Sequence, residues 1–160
     1  SGGKECTCGP KGCWEAYASA TALIKLTQEA ALKNHDSLLY TLVDGDLTLI
    51  TAKTSFDAAK QGDPVANKVV QDYIGYLSEG VINIINIFQP EILVLGGGVS
   101  KQGDYLLNLL LERINQDAYS REEIPKTKLR TALLGNDAGI IGAALLGFSQ
   151  EQLRMLGKKD

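Results

Sequence analysis

Apolar residues recur every three or four positions over most of this chain. The longest such run comprises Val65, Val69, Val70, Tyr73, Ile74, Leu77, Val81, Ile84, Ile85 and Phe88, and it predicts one helix over residues 64–88. Asp63-Pro64 gives that helix an N-cap and a proline at its first position, and Gln89-Pro90 stops it. The run is apolar enough to predict burial on most sides. Gly75 and Gly80 lie inside it at a cost of about 1 kcal/mol each relative to alanine, which implies that something packs close against them. The period then changes. Ile92-Leu93-Val94-Leu95 is a short continuous apolar run that predicts a buried strand, and it passes directly into Gly96-Gly97-Gly98-Val99-Ser100, where Ser100 can cap a following helix.

The remaining segments follow the same logic. Trp14, Tyr17, Leu23, Ile24 and Ala31 share a helical spacing that predicts one uninterrupted helix over residues 14–33, broken at Asn34-His35-Asp36. Residues 37–46 fit a short helix or a strand equally well. A helix is predicted over residues 51–60, and another over 102–116 through Leu106, Leu107, Leu109, Leu110 and Ile114. Residues 119–127 read as a loop and 128–134 as a second strand. Gly135-Asn136-Asp137 turns that strand into an apolar helix over 138–146, rich in small residues, and residues 149–160 form a charged tail that is at best a short helix. Strand, helix, strand, helix after a long helix spells an α/β fold.

Composition narrows the function. The 160 residues fit one domain, 44% of them are apolar, and a net charge of -3 offers no basic surface for nucleic acid. No apolar run approaches the ~20 residues of a membrane helix, and the N-terminus shows no signal-peptide pattern. The 3 cysteines all fall between positions 6 and 13, too close together for a disulfide framework, so they point to free or metal-bound thiols in a reducing cytoplasm.

Cys6, Cys8 and Cys13 stand in C-x-C-x4-C spacing with Gly9-Pro10 and Gly12 between them, which lets a short loop turn three sulfurs toward one zinc. A fourth ligand is missing. His35, the single histidine, reads as a polar residue near a helix end rather than as that ligand, which is expected upstream of Ser1. Glu15 lies in the first turn of the predicted helix, where a carboxylate gains from the helix dipole. The Gly96, Gly97 and Gly98 run matches neither the dinucleotide fingerprint nor the P-loop, and both a ligand contact and a tight strand-to-helix turn remain open for it.

Four segments taken in order, C-T-C-G-P-K-G-C-W-E, G-D-P-V-A, F-Q-P-E-I-L-V-L-G-G-G-V-S and L-G-N-D-A-G-I-I-G-A-A, resemble the C-terminal half of the ROK (repressor, open reading frame, kinase) sugar kinases, and the resemblance covers essentially the whole chain. It implies an actin-like, ribonuclease-H-like ATPase lobe over residues 1–148, with a zinc loop at 1–13 and a tail at 149–160. Cys6, Cys8 and Cys13 become zinc ligands beside one histidine, Glu15 contacts the sugar hydroxyls, and Gly96 to Gly98 lie beside ATP. Residues 136–139 would lie near that loop. A homodimer and a place in glycolysis are expected.

The family's D-x-G-x-T phosphate segment, its N-D catalytic pair and its E-x-G-H segment have no counterpart in this sequence. Phosphoryl transfer needs a base for the sugar hydroxyl and a cradle for ATP and magnesium. The expected reading is therefore the C-terminal lobe of a hexose kinase acting on glucose, inactive by itself. Two alternatives are the sugar-sensing lobe of a ROK transcriptional repressor and an autonomous zinc-stapled module that dimerises through the helix over residues 63–88.

Overall fold

A computed structural model describes residues 2–119, 127–135 and 137–148. Helices α1 (Glu15–Ala18), α2 (Ala20–Lys33), α3 (Leu38–Thr41) and α4 (Ala52–Lys60) lead into the 25-residue α5 (Pro64–Phe88). Strand β1 (Ile92–Leu95), a 3-10 turn (Gly98–Gln102), α6 (Asp104–Asp117), β2 (Lys128–Thr131) and α7 (Asp137–Leu145) complete the order. The loop predicted at 119–127 and the charged tail fall mostly outside the described residues.

Helix α5 is the axis of the molecule. Helices α1, α2, α3, α4 and α6 all pack on it, and its Ala66, Val69, Val70, Tyr73, Ile74, Leu77 and Val81 are buried with Leu23, Leu39, Phe56, Leu106 and Leu110. Each large apolar side chain so buried contributes roughly 1.5–3 kcal/mol. Phe56 meets the ring of Tyr105 edge-on with centroids 6.0 Å apart, locking α4 against α6. Asp63 caps α5 as its sequence predicts, accepting from the Ala66 N–H at 2.7 Å. The same carboxylate accepts from the Ser37 hydroxyl at 3.0 Å and the Leu38 N–H at 2.8 Å, so one residue starts α5 and holds the start of α3.

Four expectations for the helices and the turn before α6 need correction. The helix predicted over 14–33 is two helices, because Ser19 is extended and its hydroxyl accepts from the Ala22 N–H at 3.1 Å, opening α2 in a new direction. Burial of α5 is confined to one face, and its last turn exposes Ile87 (72%) and Phe88 (73%). Of the two helical glycines, a Cβ at Gly80 would overlap Trp14, whereas one at Gly75 would meet nothing within 4 Å. Ser100 does not cap α6: its hydroxyl donates to the Gly97 carbonyl at 2.7 Å inside the 3-10 turn, and α6 starts after Gly103.

Strands β1 and β2 pair in parallel, Ile92 opposite Lys128 through Leu95 opposite Thr131, with α6 as the crossover. Strand β2 is shorter than the predicted 128–134. Leu93, Leu95 and the buried Leu129 face the helices, while Ile92 and Val94 are exposed on the other face, so the expected fully buried strand is covered on one side only among the described residues.

Candidate functional site

The cysteine loop folds back on itself. The Gly12 N–H reaches the Lys4 carbonyl at 2.8 Å, the Cys6 N–H reaches the Pro10 carbonyl at 3.2 Å, and Gly9 and Gly12 supply the positive φ angles the reversal needs. Lys11 and Glu5 pair across it at 3.2 Å. The result is a sulfur cluster: Cys8 Sγ lies 3.3 Å from Cys6 Sγ and 3.4 Å from Cys13 Sγ, and all three fall within 4.8 Å of one another. Tetrahedral zinc with bonds of ~2.3 Å holds its sulfurs ~3.8 Å apart, so the cluster fits that ion with small adjustments. The donor set is also soft enough to select it.

Ionisation within the cluster is uneven. The Cys8 backbone and side chain hold the Cys6 thiol below its ordinary 9.0, whereas engagement with Cys6 and Cys13 pushes the Cys8 thiol up to about 12. Three adjacent thiolates repel, and a divalent cation reverses that balance. Among the described residues the group comprises these three thiols alone. His35 instead stacks on Tyr40, 4.4 Å between ring centroids, just past the end of α2.

Two residues after Cys13, Glu15 opens α1. Its carboxylate is exposed, and its charge opposes ionisation of Cys6. Helix α1 has four residues and buries none, too short to hold its own direction, so its orientation comes from tethers. The Trp14 indole N–H donates to the Tyr76 carbonyl at 2.7 Å, and Tyr17 rests against Tyr76 with centroids 5.1 Å apart. The Tyr73 hydroxyl donates to the Ala18 carbonyl at 2.9 Å. Burial pushes the Tyr73 phenol up to about 12, so it remains a donor at any ordinary pH. On the N-terminal side the Lys4 N–H donates to the Tyr17 hydroxyl at 2.7 Å. Trp14, Tyr17, Tyr76, Glu79, Gly80 and Asn83 line an open cavity of about 490 Å3 beside these tethers. Sequence reasoning did not assign Trp14, Tyr73 or Tyr76 a role; the one signal for this arrangement was the costly Gly80.

The glycine run leaves the C-terminal end of β1. Gly97 adopts φ 85 and ψ -174, a region only glycine occupies readily. A Cβ at Gly97 or Gly98 would meet no atom within 4 Å, so the backbone there is open to a ligand. Gly96 to Gly98 line a cavity of about 160 Å3 with Ala18, Ser19, Tyr73 and Leu77, which brings the glycine loop beside the α1–α2 break. Gly135, at φ 52, turns the chain after β2, so both loops lie at the carboxyl ends of parallel strands, where α/β folds bind ligands. Asn136 lies outside the described residues; Asp137 and Gly139 are exposed in the first turn of α7.

Sulfur cluster, anchored short helix and strand-end glycine loops lie on one α/β lobe. The chain belongs to the ROK family, whose pattern it matches over residues 1–150. It is 39% identical over 142 residues to the glucokinase of Thermotoga maritima, covering 89% of this chain and 44% of that protein. It is 30% identical over 146 residues to the xylose repressor of Caldicellulosiruptor bescii, covering 88% of this chain and 36% of the repressor. Among solved structures, a ROK family glucokinase from Streptomyces griseus in complex with glucose and AMPPNP aligns with a TM-score of 0.80 and 34% identity, over 90% of this chain and 47% of that one. The chain thus spans about half the length of the glucokinases it matches.

Proposed function

We propose that this chain is the C-terminal lobe of an ATP-dependent hexose kinase of the cytoplasm, acting on glucose as a homodimer. Glu15 accepts hydrogen bonds from the sugar hydroxyls. Cys6, Cys8 and Cys13 hold a structural zinc that fixes the loop from which α1 starts. Magnesium-ATP supplies the transferable phosphoryl group, and Gly96, Gly97 and Gly98 offer it a backbone free of side chains. The observation that carries this reading is the sulfur cluster placed two residues before an exposed Glu15, in a chain 39% identical to a glucokinase. The outer face of β1, with Ile92 and Val94 more than half exposed, supports the placement as one lobe of a larger molecule.

The base that orients the sugar hydroxyl and the cradle for the phosphates belong to segments of the family pattern that this sequence lacks. This chain alone, given glucose and Mg-ATP, should therefore produce no sugar phosphate above a Gly97→Val control, and turnover would overturn the lobe reading. In a polypeptide carrying both halves, Glu15→Gln removes a charged acceptor contributing ~1.5–3 kcal/mol, so the KM for glucose should rise roughly tenfold to a hundredfold with that for ATP unchanged. A loss of melting temperature without a change in KM would leave Glu15 as a helix-dipole residue.

The similarity to a xylose repressor favours a second reading, a lobe that senses sugar without phosphorylating it. Sugar binding without turnover in the two-half protein would select it.

A further inference from the structure

Trp14 lies between Cys13 and Glu15, the two residues given roles above, and its own side chain docks on α5. Two features make that docking specific. The indole N–H donates to the Tyr76 carbonyl at 2.7 Å, a main-chain acceptor that substitution of Tyr76 would not remove. The indole ring also occupies the space where a side chain at position 80 would begin, since a Cβ there would overlap Cε2, Cζ2 and Cδ2 of Trp14. Tyr73, Tyr76 and Gly80 fall at i, i+3 and i+7 on α5, one face that receives Ala18, Tyr17 and Trp14 of the short helix in turn. Gly75, five residues away on the same helix, borders open space, so a general need for small residues in α5 does not explain Gly80.

We infer that Trp14 and Gly80 form a positioning pair that aims Glu15: the indole, seated on the bare backbone of Gly80, sets the direction of α1 and so of the carboxylate presented to the sugar. The inference rests on Glu15 being the sugar contact. In this role the pair acts through the backbone of α1 rather than by contact with the sugar. The pair acts because a four-residue helix has no core of its own, and a displacement of the indole by a methyl group must move the backbone at 14 and with it the next residue.

Trp14 is the only tryptophan, so its fluorescence reports the seat directly in this chain. Gly80→Ala should shift the emission to longer wavelength as the ring is lifted into water, while Gly75→Ala should not. In the two-half kinase, Gly80→Ala should raise the KM for glucose roughly tenfold, with kcat and the KM for ATP within about twofold of the parent, and Gly75→Ala should change none of them. Trp14→Leu should raise the KM similarly, and adding Gly80→Ala to it should cost no more, because the overlap is gone. Should Gly80→Ala fail to fold, Trp14→Phe keeps a ring but loses the bond to Tyr76 and should raise the KM severalfold. If Glu15→Gln raises the KM and Gly80→Ala or Trp14→Phe does not, the positioning role is overturned while the sugar contact stands. If Gly80→Ala costs the same with leucine at position 14, its effect is one on α5 and the pair is again overturned. If Glu15→Gln leaves the KM as it was, the sugar-contact reading fails and the pair has nothing to aim.

Discussion

Asp63 shows how much one side chain can settle. It is 8% exposed and accepts hydrogen bonds from the Ala66 N–H, the Leu38 N–H and the Ser37 hydroxyl. Burial by itself would raise its pKa, but the N–H groups of Ala66, Leu38 and Val65 and the Ser37 hydroxyl outweigh burial and hold the carboxyl below its ordinary 3.8. A carboxyl with a depressed folded pKa stabilises the fold above the unfolded value and loses that contribution as pH falls through the folded one. Acid unfolding monitored by circular dichroism should therefore include a component below pH 3.8 that Asp63→Asn lacks. Asp63→Ala removes the cap and leaves buried donors unpaired, at a cost of about 3 kcal/mol, and should lower the Tm by about 6–12 °C in calorimetry.

At the scale of elements, α5 is fixed at both ends by local chemistry, and the C-terminal end is the weaker one. Gln89 terminates it in the left-handed region, φ 43 and ψ 51, with its N–H on the Ile85 carbonyl. A side chain there costs about 1–2 kcal/mol that glycine avoids, part of which glycine returns through the greater freedom of the unfolded chain. Gln89→Gly should thus stabilise by about 0.5–1 kcal/mol and raise the Tm by about 1–4 °C, whereas Gln89→Val should lower it. The residue is exposed, so the comparison reads backbone conformation rather than packing.

For the molecule as a whole, the cysteine loop is fastened to the helical body through α1 and the Lys4–Tyr17 contact. Zinc binding should be legible in the emission of Trp14, one residue from Cys13. Three thiolates leave one position of a tetrahedral ion to water or a neighbouring molecule, so the isolated chain should bind zinc weakly and release it to EDTA. Cys8→Ser, which removes the sulfur 3.3 Å from Cys6 Sγ and 3.4 Å from Cys13 Sγ, should abolish binding, while His35→Ala should leave it unchanged. A zinc that resists EDTA in the isolated chain and persists in His35→Ala would overturn this account of the ligand set.

The sequence by itself determined the features that arise within a few residues. Asp63-Pro64 and Gln89-Pro90 mark the ends of α5 because capping and proline geometry act over one turn. Three thiols within eight residues cluster because two glycines reverse the loop between them, and the apolar run before Gly96 becomes β1 for equally local reasons. Tertiary structure decided the rest. The break at Ser19 carries a local trace, a hydroxyl three residues before Ala22, but the apolar spacing on either side continues across it. What turns α1 away from α2 is a set of contacts 55 to 62 residues distant, Tyr73 on Ala18 and Trp14 on Tyr76. A still longer stretch of chain separates an unexplained glycine at position 80 from the indole that requires it. Periodicity shows that a face is apolar; only the assembled chain shows which partner covers it, and for Ile87, Phe88, Ile92 and Val94 no described residue does.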